Sequence, residues 1–211
     1  MTQKSFEGFQ HIEYVFLDRD GVINRKPPEG QAISNWKCFD ILPGVEEGIA
    51  RLNGMGHRVI VVTNQRGISL RNYTERDLTE LHRRLLDHLA SRGARIDAIY
   101  YCPHDREQCD CRKPGSGMFL RAFKEFPGAS GSNSVMVGDS ISDIEAGLRL
   151  GMKTIFIHGD PKVQKPGAER AAALATVTSY SLRDAVFKYL APGGSANDLD
   201  QQSPVTGNYT V

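Results

Sequence analysis

Two aspartates one residue apart, Asp18 and Asp20, close the apolar run Tyr14-Val-Phe-Leu and stand directly before Gly21. Such a run reads as a buried strand, so both carboxylates are delivered to a strand tip, where parallel α/β sheets place their ligands. That placement suits chemistry better than stability, although Asp-x-Asp-Gly alone is also an ordinary acidic turn. Three further sets of reactive residues follow apolar runs or precede helices: Thr63-Asn64-Gln65, Arg112-Lys113-Pro114 and Gly138-Asp139-Ser140-x-x-Asp143. In a parallel sheet the strand ends share one edge, so sets far apart in sequence can converge on one site. A second constellation, Cys102-Pro-His104-x4-Cys109-x-Cys111, offers three thiolates and an imidazole, the donor set of a tetrahedral structural zinc site. A site closed by four protein ligands has no position for substrate. Its expected role is to rigidify a short loop and aim Arg112 and Lys113, which follow directly.

Periodicity indicates the elements that must position these groups. Strands are expected over 12–17, Val59–Val62, 97–101, 134–138 and 153–157. Pro43-Gly44 opens a helix with Val45, Ile49, Leu52 and Met55 near helical spacing, and Gly54 and Gly56 end it. Thr74 and Asp77 resemble a capping box before the stripe Leu78, Leu81, Leu85, Leu89, which Gly93 terminates. Further helices are expected near 116–126, 141–150 and 181–190. The alternation predicts βαβ units and therefore a three-layer α/β fold, a mostly parallel sheet flanked by helices. Paired prolines exclude regular structure from Arg25-Lys26-Pro27-Pro28-Glu29-Gly30. Residues 1–11 read as a poorly ordered lead-in, 12–190 as one domain, and 191–211, rich in Gly, Ser, Asn and Asp, as a disordered tail. Cys38, with no neighbouring cysteine, reads as an ordinary buried thiol.

The 211 residues suffice for one domain with a sizeable core. A net charge of +1, from 26 basic and 25 acidic residues, gives no general attraction to nucleic acid or an anionic membrane, so an anionic substrate must be held locally. No apolar stretch approaches the roughly 20 residues that span a bilayer, and the start Met1-Thr-Gln-Lys lacks the apolar core of a secretion signal. A cytoplasmic monomer is the expectation.

Taken in order, the four strand-end sets resemble the haloacid dehalogenase superfamily of phosphohydrolases over residues 12–158. The pairing with Cys-Pro-His…Cys-x-Cys-Arg-Lys-Pro narrows the resemblance to the zinc-bearing subgroup that contains heptose-bisphosphate and histidinol-phosphate phosphatases. The resemblance implies a Rossmann-type fold with no separate cap domain. It also implies phosphomonoester cleavage, in which a carboxylate can attack phosphorus only if cations screen it. By this resemblance Asp18 is the nucleophile forming an aspartyl-phosphate, and Asp20 the general acid and base. Asp18, the Asp20 carbonyl and Asp139 hold Mg²⁺, Asp143 orients that shell, and Thr63 and Lys113 stabilise the phosphoryl oxygens. Cys102, His104, Cys109 and Cys111 hold structural Zn²⁺. Substrate contacts are expected from Arg19, Asn24, Lys26, Pro27, Pro28, Glu29, Asn64, Gln65 and Arg66, with Arg112 on a distal phosphate or sugar. The implied substrate is a small phosphorylated metabolite, foremost a heptose 1,7-bisphosphate cleaved at its 7-phosphate, with histidinol phosphate or another small phosphometabolite as the alternative. The reading from another class is a non-catalytic zinc-containing binding module, against which the near-neutral charge and the intact acid set argue. Two features depart from the heptose pattern: the zinc loop is short, and Ser140 follows Asp139 where both relatives usually carry a basic residue.

Overall fold

Six parallel strands make one sheet in the order β3-β2-β1-β4-β5-β6: β1 (Tyr14–Leu17), β2 (Arg58–Asn64), β3 (Ala98–Cys102), β4 (Ser134–Gly138), β5 (Lys153–Ile157) and β6 (Val177–Ser179). This computed structural model describes residues 7–28, 31–164 and 166–192. The helices are α1 (Val45–Gly54), α2 (Glu75–Ala90), α3 (Gly117–Glu125), α4 (Ile141–Arg149), α5 (Ala168–Leu174) and α6 (Leu182–Ala185).

The strands are apolar on both faces because helices cover both. Val15, Leu17, Val59, Val61, Val135 and Val137 pack with Ile49 and Leu52 of α1, Leu81, Leu85 and Leu89 of α2, and Leu182 of α6. Their alternates Phe16, Ile60, Val62 and Met136 pack with Met118, Phe119 and Ala122 of α3. Strand order reverses between β1 and β4, and an open parallel sheet has a crevice beyond the C-terminal strand ends at such a point. The register places the two acid-bearing ends side by side there. Leu17 is level with Val61 and with Val137, and the Asp18 N–H donates to the Val137 carbonyl at 2.9 Å.

The segment after β1 is fastened beside this crevice. Arg25 N–H donates to the Asp40 carbonyl at 2.7 Å, its Nε to the Asp40 carboxylate at 2.7 Å, and Leu42 N–H to the Ile23 carbonyl at 2.9 Å. Among the described residues no second sheet covers the strand ends. No described helix is long and apolar enough to cross a membrane.

Several expectations need correction. Phe9 is only 3% exposed and its ring meets Tyr189 at 5.8 Å, so packing begins inside the expected lead-in. Cys38 is exposed, not buried. It lies in a 3-10 turn (Trp36–Cys38) in which Trp36 stacks on Phe39, and it is Phe39 that is buried. Met55 is exposed because it falls one residue past the end of α1. The expected helix 181–190 is α6 followed by a π-helical turn, Val186–Leu190. The alanine-rich α5 and the three-residue β6 carry too little periodicity to have been anticipated. Residues 1–6 and 193–211 lie outside the described residues, as does Glu29; Ala191 is described and fully buried.

Candidate active site

The Asp18, Asp139 and Asp143 carboxylates converge at the switch point, each offering an oxygen within 4.8 Å of the others, and all three residues are buried. Two glycines make that approach possible. A Cβ on Gly21, whose φ is +100°, would lie 2.1 Å from Asp139 Oδ2, and one on Gly138 would lie 2.2 Å from the Asp143 Cβ. Lys113 lies 3% exposed against this cluster. Its Nζ stands 2.9 Å from Asp18 Oδ1 and 2.7 Å from Asp143 Oδ1, and donates to the Val62 carbonyl at 2.7 Å. Asn64 fixes the lysine's backbone by a reciprocal pair, its Nδ2 donating to the Lys113 carbonyl at 3.2 Å and its Oδ1 accepting from the Lys113 N–H at 3.0 Å.

Electrostatics follow from this crowding. Burial pushes the Asp18 carboxyl up, and Asp143 and Asp20 add to it, against the pull of Lys113. Burial likewise pushes Asp139 up to about 7, with Asp18 and Asp143 contributing and the ion-paired Lys26 opposing. For Lys113, burial disfavours the ammonium, but Asp143 and Asp18 outweigh it and hold the charge. Three buried acids therefore share two ammonium groups, a donor set suited to a hard divalent cation. Asp139 Oδ1 is buried with no hydrogen-bond partner among the described residues, as a metal-facing oxygen would be.

Asp20 is held differently. Arg19 Nη2 donates to its Oδ1 at 2.9 Å and Oδ2 at 3.1 Å, Asn24 Nδ2 to Oδ1 at 2.9 Å, and Gln65 Nε2 to Oδ2 at 3.1 Å. Burial alone would raise its pKa, but the Arg19 charge and these hydrogen bonds together hold it below the usual carboxylate range. Gln65 also donates to Thr63 Oγ1 at 2.8 Å, which leaves the threonine proton free to be given elsewhere, and accepts from Tyr73 Oη at 2.5 Å.

The zinc-type ligands assemble in the loop after β3. Cys102 Sγ lies 3.5 Å from Cys109 Sγ and 3.7 Å from His104 Nδ1, and Cys111 Sγ lies 3.3 Å from both Cys109 Sγ and His104 Nδ1. A tetrahedron with metal bonds of about 2.0–2.3 Å has edges of about 3.3–3.8 Å, so the four atoms fit one ion. Arg66, two residues past the end of β2, clamps the loop, its Nε and Nη2 donating to the Asp105 carboxylate at 2.5 and 3.1 Å. Arg112, half-buried, has a long 3.5 Å contact to the His104 carbonyl.

Comparison with known proteins gives this geometry a family. A family model described as HAD-hydrolase-like matches residues 110–185. The chain is 39% identical over 178 residues to D-glycero-beta-D-manno-heptose-1,7-bisphosphate 7-phosphatase of Vibrio cholerae, covering 81% of this chain and 92% of that enzyme. The chain belongs to the heptose-1,7-bisphosphate 7-phosphatase family. It is 42% identical over 136 residues to D-glycero-alpha-D-manno-heptose-1,7-bisphosphate 7-phosphatase of Mycobacterium bovis, covering 64% of this chain and 71% of that one. The D,D-heptose 1,7-bisphosphate phosphatase of B. bronchiseptica, solved with magnesium and phosphate, superposes with a TM-score of 0.71 at 26% identity, over 83% of this chain and 96% of that one. The protein is thus a phosphoric monoester hydrolase of the HAD-like fold.

Within this phosphatase the structure separates residues the motifs had grouped. Asp18, Lys113, Asp139 and Asp143 meet at the switch point, and Thr63 lies near the end of β2 with its hydroxyl accepting from Gln65. Arg19, Asn24 and Gln65, expected against substrate, are buried and each donates to Asp20; Arg19 also reaches Gln65 and His82, Gln65 also binds Thr63 and Tyr73, and Asn24 also donates to the Arg25 carbonyl. Lys26 is buried against Asp139, Pro27 is half-buried and Pro28 exposed. Ser140 has a local role. Its N–H and hydroxyl both donate to Asp143 Oδ2, at 3.0 and 2.6 Å, where α4 begins. Tyr73, Asp105 and His82 were not singled out from the sequence. The one available signal was His82, a polar residue inside the leucine stripe of α2.

Proposed function

We propose that this phosphatase removes the 7-phosphate of a D-glycero-D-manno-heptose 1,7-bisphosphate, by way of an aspartyl-phosphate on Asp18. The observation that carries the reading is the buried cluster of Asp18, Asp139 and Asp143 bridged by Lys113 at the switch point. An attacking carboxylate needs its phosphoryl target held in line and its own charge screened. Lys113 supplies the screening, since its ammonium touches Asp18 and can reach the oxygens of a phosphoryl group drawn up to it. The Thr63 hydroxyl donates to the same oxygens, its acceptor side already occupied by Gln65. Asp18 and Asp139, with the Asp20 carbonyl, would hold Mg²⁺, which supplies further neutralisation of phosphoryl charge, while Asp143 orients the cluster from Lys113 and Ser140. Asp20, held ionised by its donors in the free enzyme, must take up a proton as the dianionic substrate arrives; it then protonates the departing oxygen and afterwards takes the proton of the water that hydrolyses the acyl phosphate.

Cys102, His104, Cys109 and Cys111 hold Zn²⁺ as a structural ion, consistent with four ligand atoms spaced as one tetrahedron. That ion fixes the loop from which Arg112 extends. Of Lys26, Arg66 and Arg112, Arg112 is the least committed to a protein partner: Arg66 is clamped to Asp105 and Lys26 to Asp139. It is accordingly assigned to the distal phosphate. The Mg²⁺-dependent release of phosphate from both anomers of heptose 1,7-bisphosphate, histidinol phosphate and a chromogenic ester tests the reading. The expected result is preferred turnover of a heptose bisphosphate, lost in Asp18→Asn. No turnover of any of these esters, or an unimpaired Asp18→Asn, would overturn it.

A further inference from the structure

Arg19 is 1% exposed, and its guanidinium is spent inside the protein. Nε and Nη2 grip Asp20, Nη2 also reaches Gln65 Oε1 at 3.3 Å, and the guanidinium lies 5.5 Å from the Phe39 ring centre. The remaining nitrogen, Nη1, faces His82 Nε2 at 3.2 Å. A guanidinium has only donors, so His82 Nε2 must be an acceptor and the imidazole neutral with its proton on Nδ1. Burial and the Arg19 charge push the His82 pKa down to about 3, against a smaller pull from Asp20, which keeps that lone pair available. His82 is 7% exposed on α2 between Leu81 and Leu85, and its other ring neighbour is Tyr101 at 6.3 Å. It does not touch the acid cluster, and no step assigned to the reaction uses it.

We propose that His82 is a positioning residue for Asp20: by taking the outer N–H of Arg19 it fixes the guanidinium plane, and that plane fixes the Asp20 carboxyl where it meets the leaving-group oxygen. The proposal rests on the assignment of Asp20 as general acid. Without the imidazole, Nη1 is a buried donor with no acceptor, and a guanidinium turning to find one takes its two-point hold on Asp20 with it. Asn24 and Gln65 still hold the carboxylate but allow it to rotate. α2 thereby contributes to the reaction without supplying a residue to the acid cluster.

The test separates proton donation from fold. The first, irreversible step requires a proton only when the leaving oxygen is poor, so kcat/KM for an alkyl phosphate depends on Asp20 and kcat/KM for p-nitrophenyl phosphate hardly does. His82→Leu should lower kcat/KM for a sugar phosphate by at least about tenfold while leaving the aryl ester within about twofold. His82→Gln, which returns an acceptor at the Nε2 position, should restore the sugar phosphate. A loss of packing alone would affect both esters alike and would follow the melting temperature. Equal losses on the two esters, no loss on either, or failure of His82→Gln to exceed His82→Leu would overturn the proposal. Asp20→Asn in parallel distinguishes the two levels. If it shows the ester split and His82→Leu does not, only the positioning role falls; if it shows no split, the assignment of Asp20 falls and the proposal with it.

Discussion

Replacing Lys113 by methionine removes one charge from a site that cannot do without it. The ammonium lies at 2.7–2.9 Å from Asp143, Asp18 and the Val62 carbonyl, and its side chain is 1% exposed, so no water can take its place. Methionine fills nearly the same space, which isolates the electrostatic loss from cavity formation. Removing one partner from a buried ion pair costs about 3–5 kcal/mol, because the remaining charge stays buried without compensation. At about 2–4 °C per kcal/mol for a domain of this size, the melting temperature should fall by about 6–20 °C in magnesium-free buffer. Adding Asp143→Asn removes one of the orphaned charges, so the double variant should be less damaged than the sum of the singles, by about 1–3 kcal/mol. Loss of a preorganised cation at the phosphoryl oxygens should also reduce kcat/KM by about 100- to 1,000-fold. Urea unfolding of the four proteins with an unchanged m-value, beside phosphate release, reads all of this. A Lys113→Met protein within about 1 kcal/mol of wild type, or strictly additive stabilities, would refute the reasoning.

Other consequences can be checked more briefly. Gly21→Ala meets Asp139 Oδ2 at 2.1 Å and a φ of +100°, so it should cost about 1–3 kcal/mol and abolish Mg²⁺-dependent turnover; activity within twofold of wild type, about, would contradict the placement. The purified protein should carry about one zinc per chain, lost in Cys109→Ala with a lower melting temperature; an active, folded, zinc-free preparation would remove the structural role. Phe16, fully buried with ring centres 5.4 Å from Phe119 and 5.9 Å from Phe123, should cost about 3–5 kcal/mol on truncation to alanine without altering the preference between esters.

The sequence announced β1 to β5 plainly because each is a short, largely apolar run between strong punctuation, and the leucine stripe of α2 begins at an overt capping box. α5 and β6 were obscure for the opposite reason, since alanines and three residues of strand carry almost no period. The reactive types were legible as well: carboxylates at strand tips, and thiolates closely spaced. Their division of labour was not. Arg19 sits between two aspartates in sequence, which places it in a motif but says nothing of the direction its side chain takes. In the fold Arg19 turns inward, to Asp20, Gln65 and the His82 that α2 brings beside it. Ser140 likewise reads as a missing cation in sequence and as the hydrogen-bond partner of Asp143 in the fold.

The central claim is that Asp18 becomes phosphorylated. Asp20→Asn should still transfer phosphoryl from p-nitrophenyl phosphate, whose leaving group needs no acid, but should hydrolyse the acyl phosphate slowly for want of a base. Rapid acid quench followed by peptide mass spectrometry should then find a phosphoryl group on Asp18. Continued phosphate release with no covalent phosphoryl group, or with the group on another residue, would contradict the account.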